Sequence, residues 1–162
     1  MKLLLIAALT LIAAAASAGE RFKGKLLYRG DTEVWMPAPG VGYQHFKSRG
    51  DVTMETGPFP RLVPVRCFGT SYWTADTSEA EGICVFGRMP DTWTARYVMT
   101  DTIPNEQRRE RFHRVGDWTA VGGTGVYDGI TGSGRYLAEP GREDFLNVTH
   151  WEGEVDLPVA TD

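Results

Sequence analysis

The chain lacks most of the features that announce a chemistry. It has no His-Glu-x-x-His string and no tight histidine cluster, so no metal and no cofactor is expected. Gly132-Ser133-Gly134 does not have the G-x-S-x-G spacing of a nucleophile elbow. There is no basic stripe: 17 Lys and Arg stand against 21 Asp and Glu, a net charge of −4. Neutralising phosphates supplies most nucleic-acid affinity, so no nucleic-acid partner is expected. The one arginine-rich stretch, Arg108, Arg109, Arg111 and Arg114, is broken by Glu110 and reads as a mixed-charge strand face. Helix signals are scarce, and no apolar run reaches the ~20 residues that a membrane-spanning helix needs.

The apolar run that does exist lies at the start. Lys2 precedes Leu3–Ala16, and Ala16-Ser17-Ala18 offers the small residues a signal peptidase reads. Residues 1–18 are therefore read as a cleaved leader, and 19–162 as a single exported domain, periplasmic or secreted, with no membrane partner once the leader is gone. Cys67 and Cys84 are the only cysteines, 17 positions apart. That separation matches no zinc spacing, and in an exported chain an even count points to a disulfide between them.

Apolar and polar residues alternate at period two, with turn signals every ten residues or so, which argues for an all-β domain. Strands are expected over 22–28, 41–55, 61–73, 83–86, 92–100, 106–115, 135–138 and 145–155. Asp31–Gly40, with Pro37 and Pro39, and Thr74–Gly82 are expected as loops. A bulge or bend is expected at Gly50-Asp51, and Pro64 predicts an edge position or a bulge. About eight or nine strands with short turns must close or stack to remove their edges, so a closed antiparallel barrel is expected, with a sandwich as the alternative.

Six of the 19 glycines fall between Gly122 and Gly134. No Lys-Ser/Thr pair and no long helix follows them, so glycine's backbone freedom at a turn explains the cluster better than a phosphate cradle. Val126, Tyr127 and Ile130 suit a single helical turn anchored inward. The string Gly122-Gly123-Thr124-Gly125-Val126-Tyr127, continued by Gly129, Gly132 and Gly134, resembles the signature of allene oxide cyclase-like and dirigent-like β-barrels. It also resembles a set of small exported bacterial proteins. The resemblance implies an eight-stranded antiparallel barrel, often trimeric, and implies no catalytic residue.

Aromatic and arginine side chains in a barrel lumen would suit an amphiphilic or aromatic ligand, the arginine meeting a carboxylate and the rings forming apolar walls. Strand parity points first to Tyr43, Arg66, Trp93, Tyr97, Arg111 and His113. His45, His113 and His150 fall on three separate strands and show no metal spacing. Three functions follow from a barrel of this composition. One is binding of a small hydrophobic or amphiphilic molecule. A second is cofactor-free cyclisation or isomerisation, which works by holding a substrate in one shape and needs few conspicuous groups. The third is an envelope interaction module acting through its outer surface.

Overall fold

In the computed structural model, which describes residues 19–104, 112–139 and 147–158, the alternation resolves into eight strands. They are β1 (Glu20–Ala38), β2 (Val41–Thr56), β3 (Leu62–Trp73), β4 (Ser78–Arg88), β5 (Asp91–Pro104), β6 (Phe112–Thr124), β7 (Thr131–Ala138) and β8 (Asn147–Asp156). Each pairs antiparallel with the next, and β8 returns to pair with β1, so the sheet closes as a barrel. Closure leaves the wall without the free edges that an open sheet would expose. The expected leader, the candidate Arg111 and the expected turn at 140–144 lie outside the described residues.

Several strands run longer than the sequence suggests. Asp31–Ala38 is strand, because it pairs with β2 up to the two-residue turn at Pro39-Gly40. The ladder steps from Trp35↔Tyr43 to Ala38↔Val41, so Pro37 falls within an irregularity where no regular ladder bond is demanded of it. Ser78–Gly82 belongs to β4, and Gly116-Asp117 sits inside β6 rather than ending a strand. Pro64 lies one residue beyond the β3–β4 ladder, which starts at Val65↔Phe86, so its missing N–H breaks no bond on that side.

Gly50-Asp51 is not a bulge. The β2–β3 register runs without a shift from Gly42↔Trp73 to Thr53↔Leu62. The extra residues sit elsewhere: Glu55 in β2, Thr100 in β5 and Val121 in β6. Because side chains alternate at period two, one misplaced bulge reverses every residue beyond it.

The barrel interior divides into two halves. One is a plug of rings: Trp93 stacks on Phe86 at 4.1 Å and on Phe59 at 5.2 Å, with Phe22, Trp118 and Trp151 packed around them. Phe59 comes from the β2–β3 turn and caps this end with buried Ile130.

The Gly-rich segment forms the corner between β6 and β7, built on one 3₁₀ turn at Gly125–Tyr127. Gly125 has φ 59°, and a Cβ there would collide with the Asp91 carboxylate. The Val126 N–H donates to Asp91 Oδ1 (3.1 Å), and the Thr124 hydroxyl bonds the Pro90 carbonyl, so the corner is tied to the β4–β5 turn. Tyr127 and Ile130 pack inward as expected, whereas Val126 is exposed.

Cys67 and Cys84 are direct partners on β3 and β4 and form a disulfide inside the barrel. In the chain-entropy account, closing a span of this length stabilises by about 3 kcal/mol. The double variant Cys67→Ala/Cys84→Ala is expected to lose about that much in urea unfolding, measured against oxidised wild type. An unchanged midpoint would show that the wall holds without the cross-link.

Candidate functional site

Above the aromatic plug the lumen changes character. Counting outward from buried residues, β1 contributes Leu26 and Tyr28, β2 Phe46 and Ser48, and β5 Tyr97. β6 contributes Arg114, β7 Tyr136 and Ala138, and β8 Thr149 and Trp151. They enclose a narrow throat of about 80 Å³. It opens into a mouth of about 780 Å³ bordered by Gln44, Trp73, the Thr74–Ser78 segment, Phe112, Arg114 and Glu139. Tyr28, Arg114 and Ala138 border both, so the two spaces form one cup.

Three tyrosines, Tyr28, Tyr97 and Tyr136, share the throat lining with Arg114 and feel its charge. Tyr97 and Tyr136 meet edge to face at 5.7 Å. The Tyr97 hydroxyl donates to the Phe68 carbonyl at a long 3.5 Å, in a slot made by two glycines on facing strands. A Cβ at Gly69 or at Gly82 would come within 2.2 or 2.3 Å of that hydroxyl, so any side chain there displaces the ring. Tyr136 lies 5.9 Å from Trp151, which forms the throat's inner wall.

Burial raises all three phenols. Tyr28 is raised by desolvation, with the Thr149 hydrogen bond and Arg114 opposing. Tyr136 is pushed up to about 12 by burial, against the pull of Arg114. Tyr97 is driven beyond the ordinary tyrosine range, first by burial and then by its two tyrosine neighbours. All three are therefore neutral O–H donors at physiological pH. The buried Trp151 Nε1–H has no partner among the described residues. An unpaired buried donor costs free energy until an acceptor reaches it.

Among the described residues the cup thus offers one cation, Arg114, with neutral tyrosines over an apolar throat, and the carboxylates Asp76 and Glu139 at the mouth. Its throat lining among the described residues contains no carboxylate and no histidine. Another depression, about 570 Å³ along β7 and β8, is lined by Lys23, Glu55, Arg135 and Glu152, and Lys23 and Glu152 already pair at 3.1 Å.

Of the residues that sequence parity selects, Trp93 and Tyr97 face inward. Trp93 is packed in the plug, and only Tyr97 lines the cup. Tyr43 is a correction: it faces outward, 41% exposed, because the unbroken β2–β3 register keeps Gln44 and Phe46 on the inner face. Arg66 is another, exposed between inward Val65 and Cys67. His113 is half-buried and lies off the cup, while its neighbours Phe112 and Arg114 border the mouth. His150 bonds Glu139 at 2.7 Å, and among the described residues no three His, Cys, Asp or Glu gather.

Sequence reasoning missed Arg114, Tyr28 and Tyr136. The signal for Arg114 was Trp118: counting back by twos from a buried tryptophan reaches it, and not Arg111 or His113.

Comparison of the chain with protein-family models, with curated proteins and with solved structures finds no match.

Proposed function

We propose that the protein is an exported binder of a small amphiphilic molecule that carries a carboxylate or a comparable acceptor group. The observation that supports this most is that Arg114 lines the throat together with three neutral tyrosines, each of which feels its charge. A guanidinium forms bidentate bonds with a carboxylate, and the phenol donors of Tyr28 and Tyr136 are there to complete its acceptor sites, the Tyr97 hydroxyl being directed at the Phe68 carbonyl. The throat limits what enters. A cavity of about 150 Å³ accommodates benzene, so a space of about 80 Å³ takes a short aliphatic end and no ring. The bulk of such a ligand would rest in the mouth.

The throat lining supplies no base for a proton transfer; the nearest carboxylates, Asp76 and Glu139, stand at the mouth, and Glu139 is engaged by His150, an arrangement that suits binding more than turnover. Export is part of the same reading. It is supported by the leader pattern of residues 1–18 and by the Cys67–Cys84 disulfide, which suits an oxidising compartment. Kinship with the allene oxide cyclase-like and dirigent-like barrels is proposed as well, on the closed eight-stranded wall and the Gly-rich corner between β6 and β7.

Native mass spectrometry of the protein recovered from the exported fraction tests the reading. The expected spectrum shows a small-molecule increment that denaturation releases, and it also reports the subunit count. Arg114→Ala is expected to lose the increment, since hydrogen bonds to a charged group contribute about 1.5–3 kcal/mol, or roughly 10- to 150-fold in Kd. A bare mass in wild type, with no uptake of added medium-chain carboxylates, would rule the reading out.

A further inference from the structure

The outer wall of β1–β3 carries two cross-strand rows that the cup does not use. Register places Trp35 opposite Tyr43, and Tyr43 opposite Tyr72, with the Trp35 and Tyr43 rings 5.7 Å apart. Six residues along β1, register places Arg29 opposite Arg49, and Arg49 opposite Arg66. Lys47 and Phe68 are paired between the two rows. At the usual rise per residue the rows lie roughly 20 Å apart, and each spans about 10 Å across three strands.

The cationic row is costly by itself, because like charges directly opposite on neighbouring strands repel. Among the described residues no carboxylate lies within ion-pair distance of Arg29, Lys47, Arg49 or Arg66. Elsewhere on the wall four cations are matched, Arg21 with Glu154, Lys23 with Glu152, Arg96 with Glu81, and Arg135 with Asp117, while single cations such as Lys25 and Arg88 stand without such a partner among the described residues. Between and including the rows, the four cations face Asp31 and Glu33 as the only acids, with His45 beside them. Register sets Asp31 opposite Lys47, so it is the row Arg29, Arg49 and Arg66 that has no facing acid among the described residues.

The aromatic row lies at the end of the β1–β2 ribbon, whose β2 stays paired with β3 as far as Gly42↔Trp73. The β1–β8 ladder stops at Tyr28↔Asn147, so beyond it β1 is paired with β2 alone among the described residues. From Val34 to Phe46 the sequence contains no Asp, Glu, Lys or Arg. Val34, Trp35 and Met36 are 51%, 49% and 62% exposed, and Tyr43 and Tyr72 are exposed too. Trp35, Tyr43 and Tyr72 thus share the outer face with the arginines, while Val34, opposite Gln44, is exposed on the other face of β1 at the same end.

We propose that this wall docks on an anionic lipid surface, the ribbon tip entering the interface and the arginine row meeting headgroup phosphates. Trp and Tyr settle at membrane–water interfaces, where one part of the ring is apolar and the other wet. Basic side chains near a surface of anionic lipid are attracted to it within about a Debye length. The charge-free tip selects lipid over a soluble polyanion: exposed Val34, Trp35 and Met36 gain nothing from a polymer in water and are buried at an interface. This is attachment to a surface, not a span, and it departs from the sequence expectation of no membrane partner. It does not depend on the cup having a ligand.

The test is co-sedimentation with vesicles of phosphatidylcholine alone and of phosphatidylcholine mixed with equal parts phosphatidylglycerol. The protein is expected to sediment with the mixed vesicles, to stay in solution with the neutral ones, and to be released by salt. R49E/R66E is expected to weaken partitioning roughly tenfold or more, since it reverses two charges. The single charge reversal R135E, on the opposite wall, should weaken it by no more than about threefold. W35A should weaken it while leaving the salt dependence in place. R49E also separates misfolding from lost docking: it puts an acid between Arg29 and Arg66, so its thermal midpoint is expected to rise as its vesicle binding falls. Equal loss in R49E and R135E, equal sedimentation with neutral vesicles, or no sedimentation at all would overturn the proposal. So would capture by dextran sulfate without vesicle binding, which would assign the wall to a soluble polyanion.

Discussion

Trp93→Ala is expected to cost about 4 kcal/mol and to leave the domain close to unfolding. Trp93 is 1% exposed and lies between the stacked rings of Phe86 and Phe59, at interplanar angles of 10° and 12°. Truncating a buried Phe or Trp to alanine costs about 3–5 kcal/mol, through lost transfer free energy and the cavity left behind. Domains of this size hold a net stability of only about 5–15 kcal/mol. The neighbours cannot readily collapse into the gap, because Phe22, Trp118 and Trp151 are each engaged with other rings of the same cluster. Urea unfolding followed by far-UV circular dichroism measures the loss. Trp93→Phe retains a stacking ring and should cost much less. A loss below about 1 kcal/mol for the alanine variant would mean that the plug is not what holds the barrel shut. A rigid plug also has a consequence for the cup, since it fixes the inner end of the throat.

The second large effect is on pH. Tyr28, Tyr97 and Tyr136 all hold their protons more tightly folded than unfolded, chiefly because burial disfavours the phenolate. Above pH 10 the unfolded chain releases protons that the folded chain keeps, so alkali favours unfolding. Their contribution is fully present below pH 10 and is lost as pH rises toward the folded values. For Tyr136, moving from 10.0 to about 12 corresponds to roughly 3 kcal/mol by that pH. Tyr97 and Tyr28 act in the same direction. Stability measured by urea unfolding should therefore be level through neutral pH and fall steeply between about 10 and 12. Tyr97→Phe should flatten the fall, because phenylalanine has no proton to lose. Constant stability up to pH 12 would show that the three hydroxyls are solvated rather than enclosed.

The wall was legible in the sequence because period-two alternation survives wherever one face is buried. On β5, Trp93, Ala95, Tyr97 and Met99 could be assigned inward from the pattern, and all four are buried. The glycine corner was legible too, since Gly125 meets a positive φ and a close carboxylate that other residues would not tolerate. The cup was not, and the reason is register. Parity alone selects the Tyr43 side of β2, whereas the unbroken β2–β3 register keeps Gln44 and Phe46 on the inner face, and the irregularities at Glu55, Thr100 and Val121 carry no turn residue that would mark them. Arg114 was read as part of a solvated charge run with Arg108 and Arg109, although its parity with Trp118 places it at the mouth. The long β1–β2 ribbon was hidden by Pro37 and Pro39, which suggested a loop. One falls in the irregularity beside Trp35 and the other in the turn.

The central claim is that a guanidinium and neutral phenols at the top of a half-filled barrel hold an acceptor-bearing molecule. The most direct test is calorimetric titration of wild type and Arg114→Ala with matched pairs of short-chain amphiphiles, one member a carboxylate and the other the corresponding alcohol. The account predicts that wild type prefers the carboxylate by at least about tenfold and that the preference disappears in Arg114→Ala while alcohol binding persists. Equal affinity of wild type for both members, or a carboxylate preference that survives the loss of Arg114, would contradict it.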